Sequence, residues 1–194
     1  MVHETAIIGR NVVIGKNAEI QPFVIIGDDV IIGNNCVIRS HTVIYKNNII
    51  GKNFKTGHSV VIRDNNKIGN NVSIGSGTKI EYNVIIFHNV KIHSNCFIPE
   101  YTRIYSNVWI GPGCVFTNAK YPRSKNVKEL LHGPTIFRNV IISANVTILP
   151  GVSIKGDTLI GAGSVVVKNT DDSSVYVGNP AKKTKSIKEL KEYG

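Results

Sequence analysis

Two side chains in the second half of the sequence have the chemistry to handle a nucleophile: Asn118, in Val115-Phe116-Thr117-Asn118, and His132, in Leu131-His132-Gly133-Pro134-Thr135. An amide can orient a nucleophile through hydrogen bonds, and an imidazole can take its proton. Between them lie Lys120, Arg123, Lys125 and Lys128, a cationic set suited to an anionic small molecule. A second set, Lys182, Lys183 and Lys185, follows Gly178-Asn179-Pro180-Ala181 and can hold phosphates. His88 and His93, at nearby positions, are of the type that binds zinc as neutral imidazoles.

The element that must position these residues is a repeat. An aliphatic residue stands at every sixth position from Ile8 to Ile110, interrupted only by Thr56 and closed by Phe116. The run resumes at Ile136 and continues to Val166, with its phase moved. Glycine often follows the aliphatic residue, and asparagine often comes two or three places later, as at Asn34-Asn35 and Asn70-Asn71. Both residues tolerate the positive φ of a tight corner. A period of six fits a short strand plus a corner, with three hexads closing one coil. Parallel strands then stack at about 4.8 Å per coil. The expected fold is all-β: a left-handed parallel β-helix of hexapeptide repeats, with one extended loop and a short C-terminal helix.

This pattern assigns several residues to packing. Cys36, Cys96 and Cys114 all take the small fifth place of the hexad and point inward. Asn48 and Asn66 share that place one coil apart, as an internal ladder would. The sixth place points outward. Ile25, Val43, Val61, Phe97 and Val115 make one largely apolar column, and Val13, Ile31, Ile49 and Ile85 make another. Such columns imply a covered interface, and three prisms side by side make the natural closed assembly, a homotrimer.

Residues 117–135 do not fit the repeat, and a loop of that length in so regular a fold implies function or disorder. Asn118 stands at the corner where the loop begins. The same corner one and two coils earlier carries Glu100 and Tyr82, so a polar ladder leads up to Asn118. The chain is expected to divide into a β-helix over 1–170, with the insertion 117–135, and a tail over 171–194. In the tail, Ser186 and Glu189 have the spacing of a capping box for a helix from Ser186 to Glu192.

Composition narrows the partners. The chain of 194 residues has a formal charge of +10 but only 7% aromatic residues. There is no RNA-binding aromatic signature, helix-turn-helix or zinc-finger pattern, which favours small anions over nucleic acid. No apolar run has the length of a membrane span. The N-terminus reads Met-Val-His-Glu, without a basic-then-apolar signal sequence, so the cytoplasm is the default location.

The hexads, the loop and the ending Ile160-Gly161-Ala162-Gly163-Ser164-Val165-Val166 with Gly178-Asn179-Pro180-Ala181-Lys182 resemble the hexapeptide-repeat acyltransferases over nearly the whole chain. Within them, Val115-Phe116-Thr117-Asn118, Tyr121-Pro122-Arg123 and Gly133-Pro134-Thr135 are similar to the nucleotide-sugar N-acetyltransferases that act on UDP-2-acetamido-3-amino-2,3-dideoxyglucuronate. The resemblance implies an acetyl group moved from acetyl-CoA to the amine of a nucleotide-linked amino sugar, with no metal. It places Asn118 beside the sugar amine, and coenzyme A between subunits along the later coils, at Ala144, Ala162, Lys182 and Lys185. Tyr82, Glu100, Tyr121 and Arg123 then stand as the substrate-binding candidates. Some relatives use a loop histidine as base toward a hydroxyl, the role His132 would take in an O-acetyltransferase. Two further alternatives are a zinc carbonic anhydrase of the same fold and a non-catalytic trimeric scaffold. The histidine spacings do not match whole coils, and the basic loop and tail are unexpected in a scaffold.

Overall fold

The computed structural model describes residues 1–191. It is the left-handed hexapeptide solenoid expected, almost entirely parallel β-structure in about nine coils. Nearly every strand is a dipeptide. Three sheets form the sides of a prism. Sheet I has nine strands from Ile7–Ile8 to Val165–Val166, and sheet II has eight from Val13–Ile14 to Ser153–Ile154. Sheet III has ten, from Glu19–Ile20 to an outer pair, Ser174–Gly178 and Ala181–Ser186.

The hexad explains each side. Partners on successive coils stand three hexads apart, as in Ile25↔Val43, Ile31↔Ile49 and Ser73↔Lys91. The second strand residue points inward, and Ile26, Ile44, Ile62, Ile80 and Ile98 form one fully buried column. The three corners are turned by residues with positive φ. Asparagine dominates them, including Asn35 (φ 58°), Asn53 (φ 58°) and Asn71 (φ 57°). Asparagine is among the few L-residues that enter this region at low cost.

Buried polar residues are satisfied within the ladder. Asn66 N–H donates to Asn48 Oδ1 (3.0 Å), and Val84 N–H donates to Asn66 Oδ1 (2.7 Å). Thr56, the one break in the early aliphatic run, is buried and its hydroxyl accepts from Arg39 N–H (2.9 Å). Cys96 and Cys114 are buried and unbridged. The contact with Cys96, with burial, pushes the Cys114 thiol up, so it stays protonated and inert.

Two boundaries differ from the sequence reading. The loop stops short of 135, because Thr135 already begins a strand paired with Arg103. Across the insertion, partners are separated by one coil plus the loop instead of by one coil alone, as in Arg103↔Thr135 and Val115↔Thr147. The tail is also more regular than a loop and helix. Ala181–Ser186 turns back antiparallel on Ser174–Gly178 and extends sheet III. The capping box at Ser186 and Glu189 is present, but it starts a 3-10 turn, Ile187–Glu189, in place of a helix reaching Glu192, which lies outside the described residues. The exposed run Lys182-Lys183-Thr184-Lys185 suits a solvated edge strand, which explains the difference.

Candidate functional site

The corner between sheets I and II carries the polar ladder. Asn118 Nδ2 donates to Glu100 Oε2 at 2.5 Å, one coil below. Tyr82 lies one coil lower still, and burial beside the Glu100 carboxylate pushes its phenol up. Tyr82 meets Tyr101 edge to face, with ring centroids 6.2 Å apart. Asp64 and Glu81 stand nearby, and Arg63 contacts both, at 3.7 and 3.6 Å. Burial raises the Glu81 carboxyl despite Arg63. The corner is therefore acidic at its base and carries an amide at its top. Asn118 is not among the residues with positive φ, so no turn conformation demands asparagine there.

The loop is rooted at this corner. His132 N–H donates to the Asn118 carbonyl (2.9 Å), and Gly151 N–H donates to the His132 carbonyl (2.8 Å). Gly133 then runs against the coil, where an added Cβ would lie 2.4 Å from Thr102 N. Successive turns fill 121–130, and Lys120 lies over the Tyr121 ring at 5.4 Å. Tyr121 is 62% exposed, and Arg123 is exposed with φ 66°. These two stand out from the corner and do not touch the Asn118–Glu100 pair through any hydrogen bond.

His132 lines a cleft of about 300 Å³ with Asn83, Tyr101, Arg103 and Thr135. Sequence reasoning missed Tyr101 and Arg103. Tyr101 has φ 63°, where this fold normally places asparagine, and a bulky residue in that conformation was the available signal. Arg103 stands in an outward column that is otherwise mostly aliphatic, and it forms no ion pair among the described residues.

Ala144 and Ala162 lie elsewhere, on the corner between sheets III and I. With Trp109, Ile141 and Ser143, Ala144 lines an apolar groove of about 560 Å³ on sheet III. Its backbone N–H has no acceptor among the described residues. At many corners the next coil supplies one: Asp28 Oδ1 for Arg10 (2.8 Å), Asn34 Oδ1 for Lys16 (2.8 Å), Ser76 Oγ for His58 (3.0 Å). Above Ala144 the corresponding residue is Ala162, which has no side-chain acceptor. Lys182 and Lys185 are exposed on the outermost strand of the same sheet. One chain thus brings Tyr82, Glu100, Asn118 and His132 together at one corner. It gathers Ala144, Ala162, Lys182 and Lys185 along a different side.

The remaining histidines are dispersed. His88 follows sheet II and accepts from Asn70 N–H through Nδ1 (2.9 Å), whereas His93 follows sheet III and packs on Trp109 (4.7 Å). They flank one strand, Lys91–Ile92, from its opposite ends. Among the described residues no three His, Cys, Asp or Glu side chains cluster as metal ligands would.

The repeat itself is recognisable. Residues 5–40 match the family described as "Bacterial transferase hexapeptide (six repeats)". The hexad pattern continues well beyond that segment, through Val166, broken only by the loop after Phe116. The chain is 50% identical over 51 residues to a probable macrolide acetyltransferase of Lysinibacillus sphaericus, covering 26% of this chain and 28% of that protein. It is 39% identical over 80 residues to the 2,3,4,5-tetrahydropyridine-2,6-dicarboxylate N-acetyltransferase of Clostridium perfringens, covering 41% and 31%. The matches thus span about a third or less of these curated relatives. The solved UDP-N-acetylglucosamine acyltransferase of Francisella novicida has the same fold, with TM-score 0.66 and 24% identity over all of this chain and 74% of that one.

Proposed function

We propose that the protein transfers an acetyl group from acetyl-CoA to the amine of a nucleotide-linked amino sugar, at sites completed between neighbouring copies of a trimer. The observation that carries this reading is the Asn118–Glu100 pair at the root of the loop. An amide that donates to a carboxylate presents its oxygen outward, where it can accept from an amine N–H. The acidic corner of Glu100, Glu81 and Asp64 favours a cationic or amino group. The acyltransferase names of the hexapeptide relatives support the reaction class.

The chemistry follows from these groups. The amine lone pair attacks the thioester carbonyl carbon, forming a C–N bond. The tetrahedral oxygen takes up charge, and the open Ala144 N–H can hold it. The C–S bond then breaks, and the proton lost by nitrogen passes to the departing sulfur, directly or through water. No covalent enzyme intermediate is required, because alignment alone can supply several kcal/mol. The Trp109–Ala144 groove suits the pantetheine arm, and Lys182 and Lys185 the phosphates of coenzyme A. Exposed apolar stripes, Val13, Ile31 and Ile49 on sheet II and Ile7 and Ile25 on sheet I, flank the same edge of the prism that carries Asn118, several coils below it. Covering them with a second copy brings that corner into an interface.

The test is Asn118→Ala. It should lower turnover of an amino-sugar nucleotide by about tenfold or more, leave coenzyme A affinity within about twofold, and barely move thermal stability. Unchanged turnover overturns the assignment. A second reading, O-acetylation, is favoured by the His132–Arg103 cleft. In that case His132→Ala abolishes transfer to a sugar hydroxyl, while Asn118→Ala does not.

A further inference from the structure

Sheet III carries a second concavity below the Trp109 groove. It has a volume of about 330 Å³ and is bounded by Arg39, Lys55, Lys91, His93, Ser73 and Ser94. Lys55, Ser73 and Lys91 are consecutive members of one outward column, paired coil to coil. Lys55 and Lys91 are therefore two coils apart, about 10 Å, with a hydroxyl midway between them. Long flexible ammonium side chains at that separation can both reach one anion seated over Ser73.

The lining is one-sided in its chemistry. No carboxylate belongs to it. Arg39, Lys55 and Lys91 form no ion pair among the described residues. Among those residues the hydroxyls of Ser73 and Ser94 make no hydrogen bond, and the backbone N–H groups of Ser76 and Ser94 have no acceptor. Gly57 and Gly75 form part of the lining, where the coils approach too closely for a side chain. A Cβ at either would lie 2.3 Å from the backbone nitrogen of the coil above. Three cations and at least four spare donors without an acceptor call for a ligand rich in anionic oxygens and about the size of a diphosphate. The far wall is His93 packed on Trp109, and Trp109 also lines the Ala144 groove. The cationic trough and the apolar groove therefore run end to end along one sheet.

We infer that this trough binds a diphosphate, seated between Lys55 and Lys91 over Ser73 and reached by Arg39. It is not needed for the phosphates of coenzyme A if those lie at Lys182 and Lys185, so the diphosphate belongs to the nucleotide of the acceptor. That last step rests on the acyl-transfer reading above; the existence of the anion site does not.

The test measures binding of three probes, UDP, inorganic diphosphate and coenzyme A, to the full chain by calorimetry, without turnover. The Lys55→Ala/Lys91→Ala variant should lose affinity for UDP and for diphosphate by about tenfold or more, with coenzyme A within about twofold. A control pair on the other two sheets, Lys67→Ala/Lys79→Ala, carries the same charge change and should leave all three unaffected. If coenzyme A weakens and UDP does not, the trough still holds a diphosphate, and its source is the acyl donor. If the control pair costs as much as the trough pair, or if no probe distinguishes the trough variant from the parent, there is no such site. Failure of the acyl-transfer reading shows separately, as absent turnover with acetyl-CoA while the binding differences persist.

Discussion

At the scale of single residues, His93 offers the sharpest expectation. Its Nε2 is buried without a partner among the described residues, and burial, with Lys91, holds its imidazole below the usual histidine range. The folded protein therefore keeps His93 neutral where the unfolded chain binds a proton. The unfolded state gains that proton as pH falls through about 6.5, so stability present above this pH is lost below it. His93→Gln should flatten this part of the profile. Thermal midpoints at about pH 7.5 and about pH 5.5 measure it, and equal slopes in parent and variant would contradict the assignment. Site residues were unevenly legible in the sequence. Asn118 was visible because it ends a hexad run and begins a loop, and Glu100 because it holds the same corner one coil earlier. Tyr101 and Arg103 were harder to read: a tyrosine in a corner column of asparagines marks an unusual position, but neither residue's place in its column says which cleft it lines. That His93 rests on Trp109 was equally hidden: it depends on how two side chains lean across a coil, which a period of six does not specify.

At the scale of elements, the loop is an addition to a frame that does not need it. Its ends meet through His132 N–H and the Asn118 carbonyl, and Arg103–Ile104, one coil before it, pairs directly with Thr135–Ile136 after it. Deleting 119–132 restores the regular three-hexad spacing between those strands. The shortened chain should fold, with a thermal midpoint equal to or above that of the parent, because shorter loops cost less closure entropy. It should transfer no acetyl group. A chain that fails to fold would show that the loop belongs to the core. The internal Asn pair is the opposite case. Asn66→Ala strips the acceptor from the buried Val84 N–H and leaves the Arg63 carbonyl with the Asn48 amide as its one remaining side-chain donor. It should destabilise the fold by about 2–3 kcal/mol in denaturant unfolding. The solenoid was legible because every coil repeats one instruction. The outer strand Ala181–Ser186 was not, because a lysine-rich segment reads equally as a soluble tail, and only the docking of Ser174–Gly178 on Leu159–Ile160 makes an edge for it.

At the scale of the molecule, the two groups of site residues lie on different sides of the prism, and this makes a shared site testable. Asn118→Ala and Trp109→Ala subunits, each impaired alone, should regain part of the parent's activity when co-expressed. In random mixed trimers about a quarter of interfaces would join two intact halves. No recovery would mean that each chain works by itself. The corner between sheets II and III has a property of another kind. Side-chain amides run along it without a gap, each Nδ2 donating to the next Oδ1: Asn17, Asn35, Asn53, Asn71, Asn89, Asn107, Asn139 and finally Asp157. An amide ladder can be written in either direction, since flipping every group exchanges donors and acceptors together. A carboxylate cannot flip in this sense: it only accepts. Asp157 thus acts as a diode at the end of the row, setting the polarity of every rung back to Asn17, far from the one residue it touches. With Asp157→Asn the two directions become nearly degenerate, and the row gains a second state that it can enter only as a block. Side-chain amide resonances, single along the whole row in the parent, should then double together from one end of the molecule to the other.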